Sequence, residues 1–310
     1  MNKLKIPENQ AKTLNEYEDE LNKYISGTAG EKLADVVKVG DYVSYTPDTL
    51  NDEALATLKA NLNTYSGKSD STINAAIDRQ DLKWRVLDVQ NGQVRLISET
   101  PTTSKIELYG YNGYNNAVKL LDDTCSTLYN NSKLASKVQN LKIEDITKYM
   151  TTQPTEDTTP YSPTNINYPK ILENEENQTV VNSTTSNKLG VSKQDGFVTG
   201  NGTSATSTLK KTYWSQSMTS ADKFTDSKYY ELFIKNNENN NYPTYWMSSR
   251  CVIASSSGAN FDVHYVNSGD VNAYRLYNSY DDENSGGYAF RPVITLNSNV
   301  QAISGDGTTA

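Results

Sequence analysis

An α+β domain of small antiparallel sheets, two or more helices and long loop insertions, preceded by an N-terminal helix, is the fold class this 310-residue chain predicts. Three observations point there. Around Phe261–Tyr277 apolar and polar residues alternate with period two on both sides of the turn residues Asn267-Ser268-Gly269-Asp270, the mark of paired strands. Asn91-Gly92, a strong short hairpin signal, joins the β-rich runs Lys83–Val89 and Gln93–Ser98. Ala117, Leu120, Leu121, Thr124, Cys125 and Leu128 recur at helical spacing, which predicts a helix facing a core.

The other elements follow in chain order. Pro7 suits a first helical turn, and Ala11, Leu14, Leu21 and Ile25 form a thin stripe interrupted by Glu18. This arm, residues 1–35, is expected either to dock or oligomerise or to pack on its own domain, with Ser26–Gly30 as its hinge. A domain over 36–300 is expected next, with insertions at about 46–81 and 151–209, then a tail over 301–310. Gly40–Tyr45 reads as a strand, Glu53–Leu62 and Leu141–Met150 as helices, Lys211–Trp214 as a strand and Lys228–Lys235 as a short helix. Thr151–Leu209 is rich in Thr, Asn, Ser and Pro, the composition of an insertion.

Composition excludes several functions. A net charge of −8 and a pI near 4.9 remove the phosphate-neutralising term on which nucleic-acid binding depends. No apolar run approaches the roughly 20 residues of a membrane span, and Met1–Asn9 lacks a signal peptide's apolar core, so manufacture in a bacterial cytoplasm is expected. Cys125 and Cys251 are too far apart for a metal knuckle, and His264 is the single histidine, so no metal site is expected. Two buried free thiols fit a cytoplasmic origin better than a disulfide, although pairing stays open. A hydrolytic triad would need His264, and no nucleophile-elbow sequence occurs; no catalytic residue is assigned.

The late segment is the candidate binding region. Asn260, Asp262 and His264 alternate with Phe261, Val263 and Tyr265, and the alternation resumes through Asn272 and Tyr274, so these polar residues are expected to face outward. An ordinary solvated meander would alternate in the same way. What favours contact is Tyr among small polar groups without matching Lys and Glu, the composition on which binding loops converge. The expected ligand contacts are Asn260, Asp262, His264, Asn272 and Asn278, with Tyr274 and Tyr280 as stacking platforms.

Five ordered blocks carry a resemblance: Val39-Gly40-Asp41-Tyr42-Val43; Trp84-Arg85-Val86-Leu87; Gly113-Tyr114-Asn115-Asn116 with Cys125 after it; Tyr245-Trp246 with Ser249-Arg250-Cys251-Val252; and Gly287-Tyr288-Ala289-Phe290-Arg291-Pro292-Val293. Over about residues 36 to 300 the chain resembles C-type lectin-like proteins of Gram-positive gut bacteria and their phages. These are related to the formylglycine-generating-enzyme form of the fold and to variable proteins diversified by retroelements. The resemblance implies a small sheet supporting a loop-rich ligand face, which in the diversified relatives occupies the last fifty or so residues. Trp246, Arg250, Cys125, Cys251 and Arg291 are expected to be structural. Oxidases of the formylglycine type need two nearby cysteines, and Cys251 has no thiol neighbour in sequence. The calcium-lectin signatures Glu-Pro-Asn, Gln-Pro-Asp and Trp-Asn-Asp are missing as well. Asp281-Asp282-Glu283-Asn284 offers oxygen ligands for Ca2+, with a solvated acidic turn the commoner explanation; otherwise no cofactor is expected.

The expectation is a non-enzymatic phage virion component, in tail or capsid, that binds a host-surface glycan or protein and attaches to other virion proteins through its arm. Homo-oligomerisation is an open option. The alternative is a capsid or tail decoration protein without a specific ligand, and a formylglycine-type oxidase ranks third.

Overall fold

The computed structural model describes residues 30–155, 197–199, 208–209, 212–234 and 242–302. The predicted arm helix, most of the insertion after Thr151 and the tail beyond Ala302 fall outside them. In order, the elements are α1 (Leu33–Val36), β1 (Tyr42–Val43), α2 (Asp52–Tyr65), α3 (Thr72–Ala75), β2 (Trp84–Gln90), β3 (Gln93–Ser98), β4 (Lys105–Tyr109), α4 (Gly110–Tyr129), β5 (Ala135–Asn140) and α5 (Ile143–Thr147). Then come β6 (Phe197–Thr199), β7 (Thr208–Leu209), β8 (Gln216–Ser217), α6 (Ser227–Phe233), β9 (Tyr245–Ala254), β10 (Ala259–Asn267), β11 (Asp270–Asn278), β12 (Ser285–Ala289) and β13 (Pro292–Leu296). The α+β class is as expected.

Local chemistry explains the best-defined elements. The Asn51 side chain accepts from Glu53 N and Ala54 N, and so satisfies two of the donors that a helix start leaves open at α2. Asn91 and Gly92 both take positive φ, 51° and 74°, the turn whose twist matches a hairpin. Helix α4 is the long amphipathic helix predicted from Ala117–Leu128, extended to 20 residues.

Two main sheets result, one in the order β1-β2-β3-β13-β5 and one in the order β4-β12-β9-β10-β11-β8, with a separate β6-β7 pair. Pairing is antiparallel except for a single parallel contact of Ala289 with Tyr245. Helix α4 packs with α2 and the inner faces of the sheets around Leu62, Trp84, Ile106, Trp246, Phe261 and Phe290. A second core gathers α5 and α6 against Leu87, Ile97, Tyr245, Met247, Val266 and Val293.

The chain passes from one main sheet to the other at Phe290-Arg291, and Arg291 fastens the crossing. It is 1% exposed, and all three guanidinium nitrogens donate: to Ser98 O, Glu99 O, the Tyr245 hydroxyl, and Leu232 O and Phe233 O at the end of α6. A cation there also complements the negative end of the helix dipole. Its backbone is tied in turn to Asn140 and Leu141. A second buried polar assembly lies across the β2-β3 hairpin. Arg95 donates from Nε and Nη2 to Asp88 at 2.8 and 2.7 Å and from Nη1 to Asp145 at 2.6 Å, while Lys148 and the Tyr149 hydroxyl also bond Asp88. These contacts hold Asp88 down at about 2 against the opposing effect of burial.

Several expectations change. The Gly40–Tyr45 strand shortens to β1, Leu141–Met150 is helical only over α5, and Thr212–Ser215 lies outside any strand. Strands β4 and β5 were not anticipated. β4 offers only Ile106 and Leu108 as buried apolar residues and β5 only Val138, so their strand state comes from pairing with β12 and β13. Residues 31–37 do not stand apart from the domain, since Leu33 N donates to Val300 O and Ala302 N to Glu31 O.

Candidate functional site

Strands β10 and β11 form the predicted hairpin, with pairing running from Asn260↔Asn278 to Asn267↔Asp270. The expectation that their polar set faces solvent does not hold throughout. Along β9 and β10 the sheet is covered on both faces, and the seven candidate residues divide into three groups.

The first group, Tyr280, Asn278 and Asn260, sits at one end of the sheet, and of the three only Tyr280 is exposed. The β9-β10 turn carries the exposed residues Ser255, Ser256 and Ser257, and the β11-β12 loop carries Tyr280, Asp281 and Asp282. The two are joined. Tyr280 OH donates to Ser257 O at 2.8 Å, Ser279 N to Ala259 O at 2.9 Å and Ala259 N to Ser279 Oγ at 3.1 Å. The Tyr280 ring lies against Gly258, where a Cβ would come within 3.1 Å of it. At 64% exposure Tyr280 is the most exposed large apolar side chain among the described residues. Asn278, predicted to touch a ligand, is 4% exposed and shapes this loop instead: its Oδ1 accepts from Tyr280 N and Asp282 N, and its Nδ2 donates to Asp282 Oδ2 at 2.9 Å. That is the Asx-type bonding by which a side chain replaces a backbone turn. Tyr277 OH bonds Asp281, which holds a positive φ of 67°. Asn260 stands half-buried beside this end, paired with Asn278 and Ile253.

The second group lies in a tyrosine cluster, half-buried at Tyr274 and Tyr288 and buried at Tyr265. Tyr265, Tyr274 and Tyr288 surround Trp246, with ring centroids 5.9, 5.8 and 4.8 Å from it. Tyr274 is half-buried, edge-on to Trp246, with its hydroxyl on Ser285 O at 2.7 Å, so it packs more than it projects. Asn272 accepts from Tyr213 OH at 3.1 Å and from Ala273 N.

The third group is buried. Asp262 and His264 are each 2% exposed, contrary to the outward orientation that alternation suggested. Neither ring nitrogen of His264 nor the Oδ1 of Asp262 has a hydrogen-bond partner among the described residues. Burial pushes Asp262 up to about 7, opposed by Arg275, and pulls His264 down to about 4, opposed by a contact with the Ser249 backbone that falls short of normal hydrogen-bond geometry.

The expected structural residues are buried. Trp246 donates Nε1 to Ile106 O at 2.9 Å, and Arg250 lies over the Tyr114 ring and donates to Asn115 O. Cys125 and Cys251 are both buried at 0% exposure, and burial raises the Cys125 thiol well above its usual value. Asn140 and Asp122 were missed. Asn140 bonds Trp246 O and Arg291 N, while Asp122 receives Asn140 N and Ser248 Oγ and is pushed by burial to about 6. Asn140 lies in a segment too polar for a periodicity signal, and Asp122 is a polar position beside the apolar stripe of α4.

Among the described residues no group of three or more His, Cys, Asp and Glu is placed to hold a metal ion, Asp281–Glu283 included. No helix among them is long and apolar enough to cross a membrane. No protein-family model, no curated protein and no solved structure matches the chain.

Proposed function

We propose that this chain is a non-enzymatic recognition protein of C-type lectin-like type, carried on a phage particle, that grips a host-surface glycan or protein with the joined β9-β10 and β11-β12 loops. One observation carries the reading: Tyr280, a large amphipathic ring left mostly in solvent, is held in place by Ser257 O and by a loop that Asn278 organises from within. A rigid aromatic surrounded by Ser, Asp and Asn supplies contact area at small entropic cost, with adaptable hydrogen bonds around it. Asn260 extends this surface, whereas Asn272 and Tyr274 lie further along β11, toward the β10-β11 turn.

The test is binding of labelled protein to Gram-positive cell-wall fractions and a glycan array. Tyr280→Ala is expected to lower retention about tenfold or more, the loss of one central aromatic anchor, with melting unchanged. Equal retention by the variant and the wild type removes these loops from the reading. Absence of any binding by the wild type favours particle decoration instead.

A further inference from the structure

Buried polar groups normally have partners, and leaving one unsatisfied is destabilising. On β10, three such atoms lie on two residues, Asp262 Oδ1 and both nitrogens of His264, separated only by Val263. The backbone around them is irregular. Register against β11 shifts between Phe261 and Asp262, and register against β9 shifts between Val263 and Tyr265, so that Met247–Ser249 stand opposite His264 alone. Bulges of this kind re-aim side chains and recur beside binding and catalytic sites.

Against this stretch, at His264, lies the segment Thr212–Trp214. Thr212 N and Tyr213 N both donate to Val252 O, Val252 N donates to Thr212 Oγ1 at 2.8 Å, and Tyr213 OH donates to Asn272 Oδ1. The Tyr213 ring runs parallel to the His264 imidazole, within 4°, with centroids 6.5 Å apart. Past the exposed Ser215 the segment is anchored by the two-residue strand β8 at the edge of the sheet.

We infer that Asp262 and His264 are the floor of a covered binding site for a neutral, hydroxyl-bearing molecule, with Thr212–Trp214 as its removable cover. The chemistry selects that ligand. A neutral imidazole presents one donor and one acceptor, Asp262 Oδ1 accepts, and Tyr213 and Asn272 at the rim add a hydroxyl and an amide. Burial keeps His264 uncharged at neutral pH and holds Asp262 near half-protonation, so the floor pairs with hydroxyl groups and not with a fixed charge. Metal is the poorer fit, since no third ligand converges among the described residues. Lifting the cover hydrates three unsatisfied atoms, which lowers the cost of the open state. The site is separate from the Tyr280 loops, and its test does not use them.

Because His264 is the single histidine of the chain, it reports on its own exposure. The experiment is carbethoxylation of the full chain with diethyl pyrocarbonate at pH 7, with His264 followed by peptide mass spectrometry. Slow labelling is expected in the wild type. Tyr213→Ala should accelerate it about tenfold, the equivalent of about 1.4 kcal/mol of lost closure. Glucose, galactose and N-acetylglucosamine are the ligand probes, and millimolar concentrations of at least one should restore protection severalfold in the variant. Thr212→Val, which removes only the hydroxyl bond to Val252 N, provides a second opened form should Tyr213→Ala melt early. Labelling of the wild type as fast as that of the unfolded chain overturns the cover. So does an unchanged rate in both folded variants. Acceleration that none of the three sugars slows leaves the floor to water and overturns the binding site.

Discussion

Arg291 and the Asp262–His264 pair are both polar groups sealed inside this molecule, and they are treated in opposite ways. Arg291 uses every guanidinium nitrogen on carbonyls and a hydroxyl from three parts of the chain. Asp262 and His264, on a central strand, leave three atoms without partners among the described residues. A buried group that is fully bonded specifies the fold, because removing it orphans everything it touched. A buried group that lacks bonds weakens the fold and has to be accounted for by something outside it. The same contrast separates scaffold from site elsewhere: Asp88, Arg95 and Asp145 bond one another, whereas Tyr280 holds one bond and turns its ring to solvent.

The largest effect expected is at Arg291. Arg291→Met should cost about 3–5 kcal/mol, since five carbonyl and hydroxyl acceptors lose their donor in a dry interior, and Arg291→Lys should rescue little because one ammonium cannot span the fork. Urea unfolding measures both. A loss under about 1 kcal/mol would mean that the crossing between the sheets does not depend on this residue.

Next is the Asp88 network. Arg95→Leu strands two buried carboxylates, Asp88 and Asp145, and is expected to cost about 3 kcal/mol or more near pH 7. The folded value of Asp88, about 2, lies below the ordinary 3.8. Its contribution is therefore present above pH 3.8 and lost as pH falls toward 2. Melting temperatures across that window in wild type and Asp88→Asn should converge at the acid end; parallel curves would show that Asp88 titrates normally.

The buried pair gives a smaller effect with a distinctive sign. His264, lowered from 6.5 to about 4, makes stability fall as pH drops from 6.5 to 4, because the unfolded chain takes up the proton first. Asp262, raised from 3.8 to about 7, makes stability fall as pH rises from 3.8 to 7, because the unfolded chain releases its proton first. Between pH 4 and 6.5 the two slopes oppose and nearly cancel. Asp262→Asn should unmask a rise in stability with pH, and His264→Gln a fall, each approaching about 1.4 kcal/mol per pH unit. Identical slopes in both variants would contradict the assignment. Smallest is Tyr280→Ala, expected to stay within about 0.5 kcal/mol of wild type in stability while reducing cell-wall retention.

The sequence made much of this scaffold legible and misjudged part of the face. Asn91-Gly92, the Ala117–Leu128 stripe and the Asn267–Asp270 turn each carry their own local physics, so β2-β3, α4 and β10-β11 fall where expected. Strands β4 and β5 were invisible because their partners lie in the last thirty residues of the domain, a tertiary fact. Period-two alternation locates the two faces of a strand without saying whether one is wet. Phe261, Val263 and Tyr265 were correctly placed inward, but the opposite face of β10 is covered too, and so Asp262 and His264 are buried. Tyr280 was legible because a loop bordered by Ser and Asp gives a tyrosine nowhere to hide. Arg291 was legible in role, since an Arg near a buried Trp can bond carbonyls and stack, but its partners, spread from Ser98 to Tyr245, were not.

The contrast between bonded and unbonded burial is tested most directly by titrating the His264 imidazole by NMR in the wild-type chain. A midpoint near 4 with the fold intact is the result predicted for a sealed ring without partners. A midpoint near 6.5 would mean that the ring is hydrated, and the account of a covered polar floor would not stand.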